Sequence, residues 1–294
     1  MAALRHMAMT QIVTSLDEFR ETVRFDRSDP RILVPTMGAL HDGHASLLKR
    51  GNELKGKSGF LIATIFVNPT QFGPSEDFDS YPRTFEEDLK ICSDHGVDLV
   101  FAPSTEDMYP GEPSTSVHES SLSLGLCGGS RPGHFDGVCT IVLKLLMLTT
   151  PHIAIFGKKD YQQLAVIRRM VRDLNLPIDI QGGETVREKD GLALSSRNAY
   201  LSESLREQAP AIRRGLLEAQ KLHAEGERDA TTLRAAVRHL LADGAPDNRI
   251  DYLEVVDPDS LEPFGETGVG EQAVIAAAVF FGKTRLIDNI ELGG

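Results

Sequence analysis

Apolar and polar positions follow one rhythm up to about residue 186 and another after it. In the first stretch, short apolar runs bounded by turn residues alternate with longer segments whose apolar positions recur every three or four residues. The runs read as buried strands and the segments as amphipathic helices. In order they are "RILVPTM", "ASLLKRGNELK", "GFLIATIFVN", "TFEEDLKICSDH" and "VDLVFAP", then the helix "GVCTIVLKLLMLTT", the strand "HIAIFG", the helix "DYQQLAVIRRMVRDLN" and the strand "PIDIQGGETV". With short connections and right-handed crossovers, this alternation predicts an α/β fold: a doubly wound parallel sheet whose ligand crevice lies at the C-terminal ends of its strands.

After residue 186 comes a polar loop, "REKDGLALSSRNAYLS". Two helical patterns follow, "ESLREQAPAIRRGLLEAQKLHAEG" and "DATTLRAAVRHLLADG", then strands around "IDYLEVVD", "AVIAAAVFF" and "TRLIDNI". This predicts a smaller α+β domain over residues 187–294 beside a larger one over 1–186, with the polar loop at the junction, a favoured place for ligands. The first nine residues, with three methionines, are read as an extension or alternative start and stay out of the fold argument.

Composition changes this picture little. A length of 294 residues suits two unequal domains, and 41% hydrophobic with 25% charged residues is ordinary for a soluble enzyme. The formal net charge of −12 argues against a general nucleic-acid binder but leaves room for a local basic pocket. Cys92, Cys127 and Cys139 form no C-x-x-C pair, which suits small buried side chains in a reducing compartment. The most apolar late run, "AVIAAAVFF", is too short to cross a bilayer, so a cytoplasmic protein without a membrane partner is expected.

Five segments carry candidate chemistry. In "VPTMGALHDGH", residues 37–44 would form the first strand-to-helix turn; Gly38 and Gly43 permit close backbone approach, and the helix start would offer unpaired N–H groups to an anion. His41 and His44, three apart, would face the same side. Spacing alone leaves phosphate contact, metal ligation and packing open, although zinc would need a third protein ligand and no H-E-x-x-H or nearby cysteine pair supplies one. In "FVNPTQFGPSEDFDSYPRTFEEDL", Asn68, Gln71 and Tyr81 are suited to a small polar substrate, with turn and cap chemistry the plainer alternative. In "FGKKDYQQ", Lys159 can neutralise phosphate, Asp160 can cap a helix or bind a ribose hydroxyl, and Gln163 lies one turn on. In "LALSSRN", two hydroxyls and Arg197 suit a polyphosphate, or else a hydroxyl-capped turn with a surface arginine. "GSRPGHFDG" adds Arg131 and His134 in a basic loop before a helix.

Taken in order, "VPTMGALHDGH", "IFVNPTQF", "YPRTFEEDL", "RPGHFDGV", "FGKKDYQQL" and "VREKDGLALSSRNAYL" resemble the pantoate–β-alanine ligase (pantothenate synthetase) family along nearly the whole chain, and "RLIDN" near the end is similar too. The resemblance implies a Rossmann-like nucleotidyltransferase domain, a smaller C-terminal domain closing over the active site, and a homodimer. "HDGH" and "LSSRN" echo the H-I-G-H and K-M-S-K-S motifs of class I aminoacyl-tRNA synthetases. The implied activity is ATP-dependent: pantoate is activated as pantoyl adenylate with release of pyrophosphate, and β-alanine then attacks to give pantothenate and AMP.

Carried over residue by residue, the family's ATP site falls on Met37, Gly38, Ala39, Leu40, His41, Asp42, Gly43 and His44, on Gly157, Lys158, Lys159 and Asp160, and on Val186, Leu194, Ser195, Ser196 and Arg197. His44 would be the proton donor, and His41, Lys159 and Arg197 would share in compensating phosphate charge. Pantoate would lie against Gln71 and Gln163, with Asn68 and Tyr81 beside it and β-alanine arriving through Gln71. Mg²⁺ would accompany the phosphates rather than sit in an all-protein cage. Two positions depart from the family's usual pattern: Lys158 stands where glutamate is common and Glu184 where proline is frequent. The first would add positive charge beside the phosphate site and the second would loosen a turn. Rival functions are a nucleotidylyltransferase moving AMP onto a phosphate-bearing acceptor and a nucleotide-binding regulator without catalysis; the full set of motifs argues against the regulator.

Overall fold

The computed structural model describes residues 10–22, 29–74, 76–265 and 268–293; residues 1–9, set aside above, lie outside the described residues. The elements begin with β1 (Gln11–Val13), α1 (Leu16–Thr22), β2 (Arg31–Thr36), α2 (Asp42–Lys55), β3 (Phe60–Ile65), α3 (Phe85–Asp94) and β4 (Leu99–Phe101). They continue with α4 (Thr105–Met108), α5 (Leu126–Ser130), α6 (His134–Thr149), β5 (Ile153–Gly157), α7 (Tyr161–Asp173) and β6 (Asp179–Gly183). The last are α8 (Glu203–Gln208), α9 (Ala211–Ala224), α10 (Ala230–Gly244), β7 (Asn248–Val256), β8 (Ala273–Phe281) and β9 (Thr284–Leu292).

Two compact units divide these elements. One holds the described residues up to His118 together with Asp136–Gly157 and Ile167–Gly183; the other holds Glu119–Phe135, Lys158–Val166 and the described residues from Glu184 onward.

The first unit is built on six parallel strands in the order β1-β4-β3-β2-β5-β6. From β2 the chain adds β3 and β4 on one side and later β5 and β6 on the other, so the order reverses between β2 and β5. That is the doubly wound sheet the pattern predicts, with its switch point at the end of the strand leading into "TMGALHDGH". Ile32, Val34, Leu61, Ala63, Val100 and Ile155 form its core with Leu47 and Leu48 of α2 and Cys92 of α3. Strands buried on both faces must be apolar at nearly every position, which is why these runs stand out in the sequence.

The second unit contains an antiparallel sheet, β7-β8-β9. Helices α9 and α10 bury Ile212, Leu216 and Ala219, and Leu233, Val237 and Leu241, in one core with Leu253, Val255, Ile275 and Ala277. The single helix expected over 203–226 is broken: α8 ends at Gln208 and Pro210 caps α9, since proline lacks the N–H that would continue the ladder. The polar loop after residue 186 is also more ordered than expected. The Arg187 and Ala193 backbones pair, Leu194 N–H donates to Val186 O at 3.0 Å, and Gly191 turns the chain with φ +92°.

Candidate functional site

In the first unit, the loop leaving β2 is held by partners distant in sequence. Gly38 and Ala39 both have left-handed backbones, with φ +80° and +50°. The Thr36 hydroxyl accepts Gly38 N–H at 3.2 Å. The buried Asp88 carboxylate accepts the next two, Ala39 N–H at 3.0 Å and Leu40 N–H at 2.8 Å, and the Thr84 hydroxyl at 3.1 Å. A Cβ at Gly38 would lie 3.0 Å from an Asp88 oxygen, so glycine here serves both the positive φ and the close carboxylate. The charge on Asp88 is felt one turn along α3, where burial, and then this carboxylate, push the Cys92 thiol up to about 12.

His41 and His44 cap α2 reciprocally. Nδ1 of His41 accepts Gly43 N–H at 3.1 Å, and Nδ1 of His44 accepts His41 N–H at 3.3 Å, with ring centroids 4.2 Å apart. A backbone N–H can only donate, so each Nδ1 is an acceptor and the neutral rings carry their proton on Nε2. This corrects one expectation: the N–H groups of His41 and Gly43 are not offered to an anion but are taken up by the imidazoles. In this tautomer the N–H donor of each ring is Nε2–H.

After β3, Asn68 is 1% exposed and its amide is filled by protein. Its oxygen accepts the Tyr109 hydroxyl at 2.7 Å and the Thr70 hydroxyl at 3.0 Å, and its nitrogen donates to Gln71 Oε1 and to Gly137 O, each at 3.1 Å. Gln71 is thereby oriented, and its Nε2 contacts Met37 Sδ at 3.1 Å. Gly137, from "RPGHFDGV", allows the close approach: a Cβ there would lie 2.5 Å from Thr70 O. Tyr81 is buried against Phe72, with centroids 6.0 Å apart. Gly157 ends β5 in this same unit.

In the second unit, residues 158–160 form a short 3-10 turn, with Lys159 Nζ 3.5 Å from Asp160 Oδ2. Burial works to raise the Asp160 pKa, but Lys159, Arg197 and His134 outweigh it and hold the carboxyl below its ordinary range. These four predicted groups therefore share one electrostatic neighbourhood. Arg131 lies in it through His134, 3.0 Å from Nη1 to Nε2. Ser195 caps the turn that carries Ser196 and Arg197, accepting Arg197 N–H at 3.3 Å. Gln163 is half-buried on the first turn of α7. Its neighbour Gln162 is buried and binds the 122–127 segment through Leu122 O, Gly125 O and Cys127 N–H.

A profile of the family described as "Pantoate-beta-alanine ligase" matches residues 11–291. The chain belongs to the pantoate–β-alanine ligase family. It is 53% identical over 266 residues to a pantothenate synthetase of Akkermansia muciniphila, covering 90% of this chain and 93% of that one. Its structure resembles a pantothenate synthetase of Thermus thermophilus, with TM-score 0.89 and 42% identity over 96% of this chain and 99% of that one. A pantoate–β-alanine ligase of Francisella tularensis, complexed with "Beta-gamma ATP and Beta-alanine", gives TM-score 0.76 and 31% identity over 96% of this chain and 97% of that one. Members of this family join pantoate to β-alanine through an amide bond, and this amide-forming activity displaces the rival reading of AMP transfer to a phosphate-bearing acceptor.

The two departures from the ligase pattern answer one another. Lys158 Nζ lies 2.7 Å from Glu184 and 3.3 Å from Glu291, and these carboxylates hold its pKa above the usual lysine value against the opposing effect of burial. Lys158 therefore brings its own counter-charges, so the expected excess of positive charge is offset. Asp88, Asn289 and Gln162 were not singled out in the ligase sequence. Each lies in a stretch that carries the resemblance, but as an individual residue its local signal is only a polar side chain at a position that helix or strand periodicity makes buried.

Proposed function

We propose that this ligase drives amide formation with ATP and makes pantoyl adenylate as an enzyme-bound intermediate. The observation that carries the reading is the reciprocal cap of His41 and His44. It commits both Nδ1 atoms to the backbone and fixes the two imidazoles side by side, ring centroids 4.2 Å apart, on the loop leaving the switch-point strand. The Francisella tularensis relative complexed with a nucleotide and β-alanine supports it.

In the first half-reaction, a carboxylate oxygen of pantoate bonds to the α-phosphorus of ATP while the bond from that phosphorus to the pyrophosphate oxygen breaks. No protein nucleophile takes part. His41, His44, Lys159 and Arg197 meet the charge that grows on pyrophosphate, and His44 is the proton donor of a hydrogen bond from Nε2–H, the proton staying on the ring. ATP enters as its Mg²⁺ complex, the metal easing charge on the phosphates. Ser195 and Ser196 bind the same phosphates, and Gln71 and Gln163 hold pantoate. Met37 sulfur is a weak acceptor, which Gln71 can exchange for a substrate oxygen, and Asn68 keeps the Gln71 amide correctly turned. In the second half-reaction, the free amine of β-alanine bonds to the acyl carbon, the bond from that carbon to the AMP oxygen breaks with its electron pair left on the AMP phosphate, and the nitrogen's proton passes to water.

We also place the enzyme in the cytoplasm as a homodimer. Three buried free thiols suit that compartment, and light scattering of the purified protein tests the dimer. The decisive experiment is pyrophosphate release from ATP, Mg²⁺ and pantoate, without and then with β-alanine. A stoichiometric burst without amine, followed by turnover to AMP and pantothenate with it, is expected. Pyrophosphate that appears only when β-alanine is present, with no burst, would rule out the free-standing adenylate step.

A further inference from the structure

The "RLIDN" stretch has no task in the reaction as proposed, yet it lies on β9, which grips the turn carrying Lys159. The Asn289 side chain is buried, and its Nδ2 donates to two successive carbonyls of that turn, Lys158 O at 3.0 Å and Lys159 O at 2.8 Å. With both carbonyls tied to one nitrogen, neither peptide plane can rotate without losing a bond. Glu291, two residues on and so on the same strand face, takes the Lys158 ammonium at 3.3 Å. Next to Asn289, Asp288 makes a bidentate pair with Arg187 at 2.7 and 2.9 Å, fixing β9 itself against the 186–194 hairpin. The strand thus sorts two adjacent lysines: Lys158 is anchored by carboxylates, and Lys159 leaves the turn in the direction its clamped carbonyls dictate.

We propose that Asn289 is a positioning residue for adenylation, acting through Lys159. It rests on the reading of Lys159 as a group that compensates phosphate charge. Displacing such a group by about 1 Å costs up to roughly 100-fold in rate, far more than the same displacement costs a surface side chain.

The test is a double-mutant cycle on the full-length enzyme. Asn289→Ala, Lys159→Ala and the double variant are compared with the unaltered protein for pyrophosphate release at saturating pantoate, for the ATP KM, and for thermal melting. Asn289→Ala is expected to melt near the unaltered protein and to lower kcat/KM for ATP by at least about tenfold, with the pantoate KM little changed. It should add less than about twofold where Lys159 is already alanine. If its full loss recurs on the Lys159→Ala background, the proposal is overturned. It is overturned alone, with the ATP reading intact, if Asn289→Ala is normal while Lys159→Ala is impaired. If Lys159→Ala itself is normal, the assigned role of Lys159 fails and the proposal goes with it. Should Asn289→Ala not fold, Asn289→Ser, which keeps a donor for one carbonyl, enters the same cycle under the same criteria.

Discussion

His44 does two jobs of unequal size. Its Nδ1 accepts His41 N–H at 3.3 Å, a long cap bond whose loss costs about 1 kcal/mol of helix stability. Its Nε2–H is the donor the proposed adenylation depends on, and losing one preorganised donor costs roughly 100-fold or more in rate. His44→Ala should therefore stay folded, with only a small drop in melting temperature, while pyrophosphate release falls at least about 100-fold; near-normal turnover in a folded variant would refute the role. The histidine pair was legible because motif, cap and helix start lie within a few residues of one another. Asp88 was not, since it reaches Ala39 and Leu40 across 49 and 48 positions and stands beside Glu86 and Glu87 in what reads as a solvated first helical turn. Asn289 lies in the quoted "RLIDN" stretch, but its partner, 130 positions away, could not be read from it. A local pattern carries its own signal, and a partner brought in by the fold carries none until the fold is known.

At the scale of elements, legibility followed burial. The central parallel strands are apolar along their length because both faces are covered, whereas β1 has three residues with a single buried one and left no pattern to read. The 187–202 stretch reads only as a polar loop, and the hairpin in it, closed where Asp190 accepts Leu192 N–H at 3.1 Å, follows from geometry. The ion cluster of Lys158, Glu184 and Glu291 ties the 158–160 turn, the chain after β6 and β9 together. Because the folded pKa of Lys158 is raised, its contribution is fully present at neutral pH and is lost only as pH climbs from the ordinary lysine value through the raised one. Both carboxylates are largely exposed, so each pair is worth at most about 1 kcal/mol. Lys158→Glu, which restores the residue common in the family, should nevertheless destabilise this protein, because it gathers three carboxylates. Adding Glu184→Gln should recover part of the loss. Denaturant melts of the two single variants and the double variant check this, and strictly additive effects would mean the two departures are independent.

For the molecule as a whole, the question is what the H-x-x-H spacing does in a chain of net charge −12 whose proposed co-substrate is a polyanion. A metal reading needs a third protein ligand, and among the described residues no group of three or more histidine, cysteine, aspartate or glutamate side chains is placed to hold an ion. Both Nδ1 atoms of the motif are already occupied by backbone N–H groups. Two apolar cores hold the described parts of the fold. A structural zinc would contribute folding free energy, so its removal would unfold the chain, whereas Mg²⁺ arriving with ATP, as proposed, would contribute to the reaction alone. EDTA should therefore leave the melting temperature of the ligand-free protein unchanged while abolishing pyrophosphate release, and added Mg²⁺ should restore it. A fall in melting temperature together with release of one zinc per chain would reverse the conclusion and return His41 and His44 to a metal site.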